Sequence, residues 1–497
     1  MKWALLLHIY QPIQQSPQML AAIVEQSYRP LFLGIKRSPQ ARVTLNITGA
    51  LLELFDRNGH LDLIDLLREL GAERKVEFTG SAKYHALLPF LDESEIKRQI
   101  AENTKTCKFF LGDAYKPRGF FPPEMAYTKN LPAILEEEGF LWCVLDEIAL
   151  PGRAKDVNYH TRYKFTGRNL SVFFRERRIS NLVMSAVVRS ASSLAKAMQE
   201  ELSSDRHIIT AMDGETFGHH RPGLEHLLFE IFDDPLFHLV TMSELLDDSY
   251  SVVEVDPIES TWASSPLDIE EGIQFISWSD PSNDIHFLQK EFVALALRLV
   301  RALPQDMKGR DVLRGRMDEA LASDHFFWAS AKPWWSVEMI EDGAYRLLEI
   351  VRDIPGVSES ELSTAARLYE RIVSTAFEWQ RSGKIRELYE KQHAVTRIPF
   401  YDRTVGAGGD MTVEYAAFME LFKKEELKAV DRGEYEQAIL WRDAMYKLEH
   451  KQDIYDAVNV IDLLRTKISN EEVDRMIAAH KEQYRLLRGG QPEQRSN

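Results

Sequence analysis

The chain is 497 residues long and sets 61 Lys and Arg against 77 Asp and Glu, a formal net charge of −16. At roughly 100–200 residues per domain this length fits two or three domains, and the acidic balance opposes attraction to phosphate backbones, which argues against a nucleic-acid partner. Only Cys107 and Cys143 could form a disulfide, so no disulfide framework is indicated and a reducing compartment is the simpler expectation.

The first residues, MKWALLLHIYQP, carry one Lys and a short apolar run that meets His8, Tyr10 and Gln11 too early for the h-region of a signal peptide. They read as a first strand. No apolar stretch approaches the ~20 residues that cross a bilayer, so the sequence predicts a cytoplasmic protein with no membrane partner. Over the next 250 or so residues, short β-branched or aromatic runs alternate with longer segments of helical periodicity. Strands are predicted over 3–8, 42–47, 75–78, 119–122, 141–145, 171–174, 207–212 and 237–242, with helices between them, for example over 50–70, 93–111 and 224–232.

His8, Asn46, Glu77, Glu124, Asp146, Arg175 and Asp213 each fall at or just past the C-terminal end of a predicted strand. In a parallel barrel those ends converge on one mouth, where active sites are built; an open doubly wound sheet would gather them in a crevice instead. No GxGxxG follows any of the strands. From about residue 287 the pattern becomes helical, with amphipathic segments over 287–303, 312–330, 337–354, 359–381 and 413–447. The expected organisation is an α/β barrel domain over 1–286, a helical bundle over 287–487 that contributes to the active-site cleft, and a disordered tail over 488–497.

Two segments stand out chemically. Glu124 lies in GFFPPEMAY, where an aromatic strand and two prolines deliver a carboxylate to a rigid turn. Asp213 ends the strand HIITAMD and opens DGETFGHHRPG, in which glycines let the backbone approach a ligand. Two carboxylates on different strands of one mouth suit glycoside hydrolysis, one attacking the anomeric carbon while the other moves a proton. Trp262, Trp278, Trp328, Trp334 and Trp335 offer faces for stacking on sugar rings, or apolar bulk for a core.

The chain resembles glycoside hydrolase family 57 in five segments that occur in the family's order: LHIYQP, VEFTGSAKYHALLP, GFFPPEMAY, AMDGETFGHH and ASDHFFW. The loops STWASSPLD and SWSDPSNDIH, with Asn283 and His286, are similar as well. The resemblance implies an incomplete (β/α)7 TIM-like barrel followed by a helical domain, with no metal or cofactor. It also implies a retaining enzyme of α-amylase or 4-α-glucanotransferase type acting on α-glucans through a covalent glycosyl-enzyme. Glu124 would be the nucleophile and Asp213 the general acid/base. His8, Tyr10, Gln11, Glu77, His85, His219, Trp262, Trp278, Asp324 and Trp328 would bind substrate. A retaining pair stands about 5–5.5 Å apart, and Asp213 is expected to titrate above Glu124. Two departures fall in the binding region: Tyr10 stands where the family's HQP motif has His, and the fifth motif reads SDHFFW.

Two other readings fit part of the pattern. A zinc-dependent deacetylase or mannosidase would use His8, His85, His219 and His220 as ligands, although the FDDP at 232–235 follows a predicted helix and not a strand. A noncatalytic glucan-binding protein would need the same aromatic surface but neither carboxylate.

Overall fold

The computed structural model describes residues 1–150, 157–186, 188–332, 334–388, 412–450, 475–476 and 478–479. The ten strands among them are β1 (Lys2–Ile9), β2 (Val43–Ile47), β3 (Val76–Phe78), β4 (Gly119–Phe120), β5 (Trp142–Asp146), β6 (Thr161–Phe165), β7 (Ser171–Arg175), β8 (His207–Asp213), β9 (His238–Val240) and β10 (Ser251–Val255). β1 is buried on both faces from Trp3 to Ile9, as expected for a central parallel strand covered by helices. Its neighbours β2 and β8 are parallel to it and place Asn46 and Asp213 in register on either side of His8.

Seven parallel strands make a ring in the order β1-β2-β3-β4-β5-β7-β8. Two of its seams fall outside regular ladders. Gly80 N donates to Gly119 O at 2.8 Å and Phe121 N to Gly80 O at 2.9 Å, which joins β3 to β4. Glu176 N donates to Ile209 O at 2.7 Å and joins β7 to β8. The fold is therefore the incomplete (β/α)7 barrel. The segment 237–242 does not add an eighth barrel stave: β9 is three residues long and pairs with the start of β1 alone. β6 and β10 were not anticipated. They extend the sheet beyond β7, with β6 antiparallel to it.

Apolar clusters fill the barrel and its helical coat. One gathers Leu6, Phe121, Trp142, Val144, Phe173, Ile209 and Ala211; full burial of a Leu, Ile or Phe side chain contributes about 1.5–3 kcal/mol. The predicted helix over 93–111 is present as Glu93–Leu111, capped by Asp92. The segment 50–70 divides into Gly49–Arg57 and Leu61–Ala72, and 312–330 into Arg310–Ala320 and Asp324–Phe327. Beyond them lie helices Val337–Arg352 and Glu359–Ser382.

The described residues form two compact units. The first takes those of 1–181, 198–214 and 231–390, so it runs through residue 286, where the sequence suggested a boundary. Contacts across that position explain the continuity: Arg98 forks onto Asp318, and Ala86 bridges Ala322. The second unit takes those of 182–197, 215–230 and 391–497, including the packed helices Thr412–Asp431 and Tyr435–His450. The tail expected over 488–497 lies outside the described residues.

Candidate active site

Glu124 stands on a turn that the sequence makes stiff. β4 leads through Phe121 and Pro122 into the turn Pro123–Met125, where Glu124 (φ 60°) and Met125 (φ 48°) take the left-handed backbone conformation. For residues with a Cβ this costs of order 1–3 kcal/mol each and persists only where neighbours over-determine it. Here they do: Trp262 N donates to Glu124 O at 3.1 Å, and Tyr127 N donates to Ser260 O at 2.9 Å. The Trp262 indole Nε1 donates to Glu124 Oε2 at 2.6 Å, so one loop holds both the backbone and the carboxylate.

Asp213 ends β8 beside β1. A Cβ on the next residue, Gly214, would lie 2.5 Å from the Ile9 side chain, so glycine is needed where the chain leaves the strand. On the adjacent β7, Arg175 Nε donates to Ala211 O at 2.7 Å and Nη1 to Asp146 at 2.9 Å. Arg177 also reaches Asp146, and its Nη2 donates to Trp262 O and Ser264 O, both at 2.7 Å. Two guanidiniums around one buried carboxylate thus fix the loop that carries Trp262.

A column of rings borders the carboxylates. Phe121 stacks on His8 (centroids 4.8 Å apart), His8 on His85 (5.1 Å) and His85 on Tyr10 (4.3 Å). Asn46 Nδ2 donates to Thr79, which leaves its Oδ1 to accept from His8 Nδ1 at 2.6 Å; the proton of His8 is therefore on Nδ1. His85, another residue with positive φ (56°), has Nδ1 3.1 Å from Ser323 Oγ. Its buried Nε2 has no hydrogen-bond partner and lies 3.8 Å from Glu124 Oε1. At the end of the column the Tyr10 hydroxyl donates to Asp324 Oδ2 at 2.7 Å.

Burial dominates the electrostatics. It lowers His8 to about 4 and His85 well below the usual imidazole value, the second with help from His8, so both rings are neutral at pH 7. Burial and the charge of Asp213 push Glu124 up to about 8, against the Trp262 hydrogen bond. Burial pushes Asp213 up to about 6, opposed by Arg175, and Asp324 to about 6, opposed by Tyr10. Both carboxyls of the pair are thus raised, chiefly by burial, and Arg175 limits the rise of Asp213. Carboxyls raised in this way can carry a proton near neutral pH.

The sequence profile described as glycosyl hydrolase family 57 matches residues 2–256, half of the chain. The chain belongs to that family. Among curated relatives, the α-amylase of Pyrococcus horikoshii is 25% identical over 226 residues, 45% of this chain and 35% of that protein. The 4-α-glucanotransferase of Thermococcus litoralis is 26% identical over 218 residues, 43% of this chain and 32% of that protein. The aligned part spans about a third of the length of these relatives. The GH57-type branching enzyme of Pyrococcus horikoshii has the same fold, with a TM-score of 0.56 at 16% identity over 75% of this chain and 94% of that one. The Thermococcus litoralis 4-α-glucanotransferase structure also gives 0.56, at 17% identity over 71% and 59%.

Of the family 57 residues singled out in the sequence, the fold brings Glu124, Asp213, His8, Tyr10, His85, Trp262 and Asp324 together. Others it places elsewhere. Glu77 sits two residues below the Asn46 level, paired with Thr44, and its carboxylate takes hydrogen bonds from Ser243. Gln11 Nε2 donates to the Tyr28 hydroxyl at 3.3 Å and Gln11 Oε1 accepts from Gln15. Trp278 is 1% exposed, in an apolar cluster with Leu87, Ala126 and Phe326, so its ring is closed to a sugar here. Trp328 stands in an aromatic group with Phe327 and Trp334, whereas Trp335 stacks on Trp379 among the helices. His219 and His220 belong to the second unit, and among the described residues no group of three His, Cys, Asp or Glu is set to hold a metal ion.

Phe121, Arg177 and Ser323 were not foreseen. The doubled Phe of GFFPP signals an aromatic wall, but nothing local ties Arg177 to residue 262 or Ser323 to residue 85.

Proposed function

We propose that this family 57 chain is a retaining glycoside hydrolase or transglycosylase acting on α-linked glucans. One observation carries the reading: Glu124 and Asp213 reach the same barrel mouth from β4 and β8, each raised by burial and Glu124 also by the charge of Asp213. Glycosidic cleavage needs one carboxyl protonated and its partner ionised, which a pair raised towards neutral pH supplies, and the retaining course is taken from the chain's membership of family 57.

In the first half-reaction the Glu124 carboxylate forms a bond to the anomeric carbon while the glycosidic oxygen leaves with the proton of Asp213. In the second, Asp213 takes a proton from water or from an acceptor hydroxyl, whose oxygen displaces Glu124. Substrate binding must therefore leave Asp213 protonated and Glu124 ionised. The Trp262 N–H bond to Oε2 favours that state by stabilising the Glu124 anion. The neutral imidazoles of His8 and His85 offer hydrogen-bonding edges to sugar hydroxyls at no charge cost. The two buried cysteines and the absence, among the described residues, of any helix long and apolar enough to cross a membrane support the cytoplasm as its place of action.

Incubation with maltoheptaose tests the reading. Proton NMR of the first product should show the α-anomer, and product lengths separate hydrolysis from transfer, which alone yields chains longer than the substrate. A β-anomer as first product, or neither turnover nor binding of maltoheptaose, overturns the assignment.

A further inference from the structure

Tyr10 and Asp324 are 314 residues apart in sequence and meet in the site through a 2.7 Å hydrogen bond. Tyr10 follows the end of β1 at the barrel mouth, while Asp324 opens the short helix Asp324–Phe327 after the helix Arg310–Ala320. Each partner is held independently of the bond. The Tyr10 ring stacks on His85 at 4.3 Å and 13°. The Asp324 segment is tied to His85 by the bond from Ser323 N to His85 O at 3.3 Å, by Ser323 Oγ at His85 Nδ1, and by the Ala86–Ala322 bridge. A hydroxyl presented by a stacked ring to a backbone-anchored carboxylate has little rotational freedom left to lose, which makes the contact a positioning device.

We propose that Tyr10 is a positioning residue of this site: its hydroxyl fixes Asp324 beside Glu124 as an acceptor for a hydroxyl of the bound glucosyl unit. The proposal rests on the functional reading above for the nature of the ligand. Tyr10 takes one lone pair of Oδ2, and among the described residues no other side chain donates to this carboxylate, so acceptor sites remain for the sugar. The ionisable groups around the link are His8, His85, Glu124 and Asp213. The histidines are neutral, so the charge of Asp324 acts on Glu124, where it opposes ionisation. Tyr10 in turn favours the anion of Asp324.

The test is the double-mutant cycle of Tyr10→Phe, Asp324→Asn and both, in the full-length protein. Tyr10→Phe keeps the ring and removes the hydroxyl. It should raise KM for maltoheptaose roughly tenfold, the weight of one hydrogen bond to a charged group, with a smaller change in kcat. Asp324→Asn should do the same and move the acidic limb of the kcat/KM profile to lower pH, since Glu124 loses a neighbouring negative charge. The double variant should add little to either.

A second readout needs no substrate. Without the hydroxyl, Asp324 titrates higher still, so the Tm deficit of Tyr10→Phe should be small at pH 5 and widen above pH 6. It should show no such pH dependence in the Asp324→Asn background. Additive KM effects, or a Tm deficit equal at all pH values, overturn the proposal. An enzyme inactive on maltoheptaose overturns the functional reading, and the thermal cycle then upholds or overturns the Tyr10–Asp324 link by itself.

Discussion

Two groups of carboxylates in this molecule, one buried and one half-buried, are treated in different ways. Where the helix Glu93–Leu111 meets the helix Arg310–Ala320, Glu95 and Asp318, with side chains 3% and 2% exposed, face cations: Arg98 forks onto Asp318, Arg314 contacts both acids, and Arg301 donates to Glu95 at 2.9 Å. At the barrel mouth, Glu124 feels the charges of Asp213 and Asp324 and has the neutral imidazole of His85 3.8 Å away, and of the three carboxyls only Asp213 has its rise opposed by a cation, Arg175. In the first arrangement the cations oppose the rise that burial imposes on Asp318 and join two elements. The second leaves its charges uncompensated, which costs stability but stores a movable proton.

The comparison is sharpest at the extremes. Glu124→Gln or Asp213→Asn should lower turnover on maltoheptaose by at least about 10³-fold without lowering Tm, measured by initial rates and by calorimetry. Asp318→Asn, which strands Arg98 beside a neutral amide and leaves Arg314 to Glu95 alone, should lower stability by about 3 kcal/mol or less, read by denaturant unfolding. Its kcat at a temperature where it stays folded should remain close to that of the parent. A large Tm loss in Glu124→Gln, or a large kcat loss in Asp318→Asn, would erase the distinction.

Smaller effects follow from pH. The folded-state pKa of Glu124, about 8, is above its unfolded value of 4.5. Its contribution is therefore fully present below pH 4.5 and is lost as pH rises towards 8. Glu124→Gln should gain stability over the parent across that window, reaching on the order of 1–3 kcal/mol after allowance for its partial exposure; Tm values taken from pH 4.5 to 8 check it. The smallest expected change is in Trp262→Phe, which removes the N–H donor to Oε2. It should raise the Glu124 pKa, move the acidic limb of the rate profile upward and cost about tenfold in kcat/KM.

Legibility from the sequence differed along the site. Glu124 and Asp213 could be found because strand, turn and carboxylate are contiguous in GFFPPEMAY and HIITAMD. Trp278 could not be told from a stacking platform, since a Trp in a polar loop has the same local pattern whether its ring is closed off or open. Glu77 was placed correctly on its strand, but a three-residue strand does not reveal how far below the mouth its side chain sits. The cation that opposes the rise of Asp213 escaped the sequence for a similar reason: Arg175 comes from β7, 38 positions earlier in the chain.

The amino-acid sequence by itself determined the alternation of short apolar strands with helical segments, because such runs must be buried against the helices that follow them, and it placed two carboxylates at strand ends. Only the tertiary structure decided what those carboxylates face. The closing of seven strands into a ring, the ring column from Phe121 to Tyr10, the arrival of Asp324 from beyond residue 300 and the grip of Arg177 on the Trp262 loop all depend on contacts between distant segments. Electrostatic energy in a low-dielectric site depends on separations of a few ångströms in space, and separation along the chain carries no record of them.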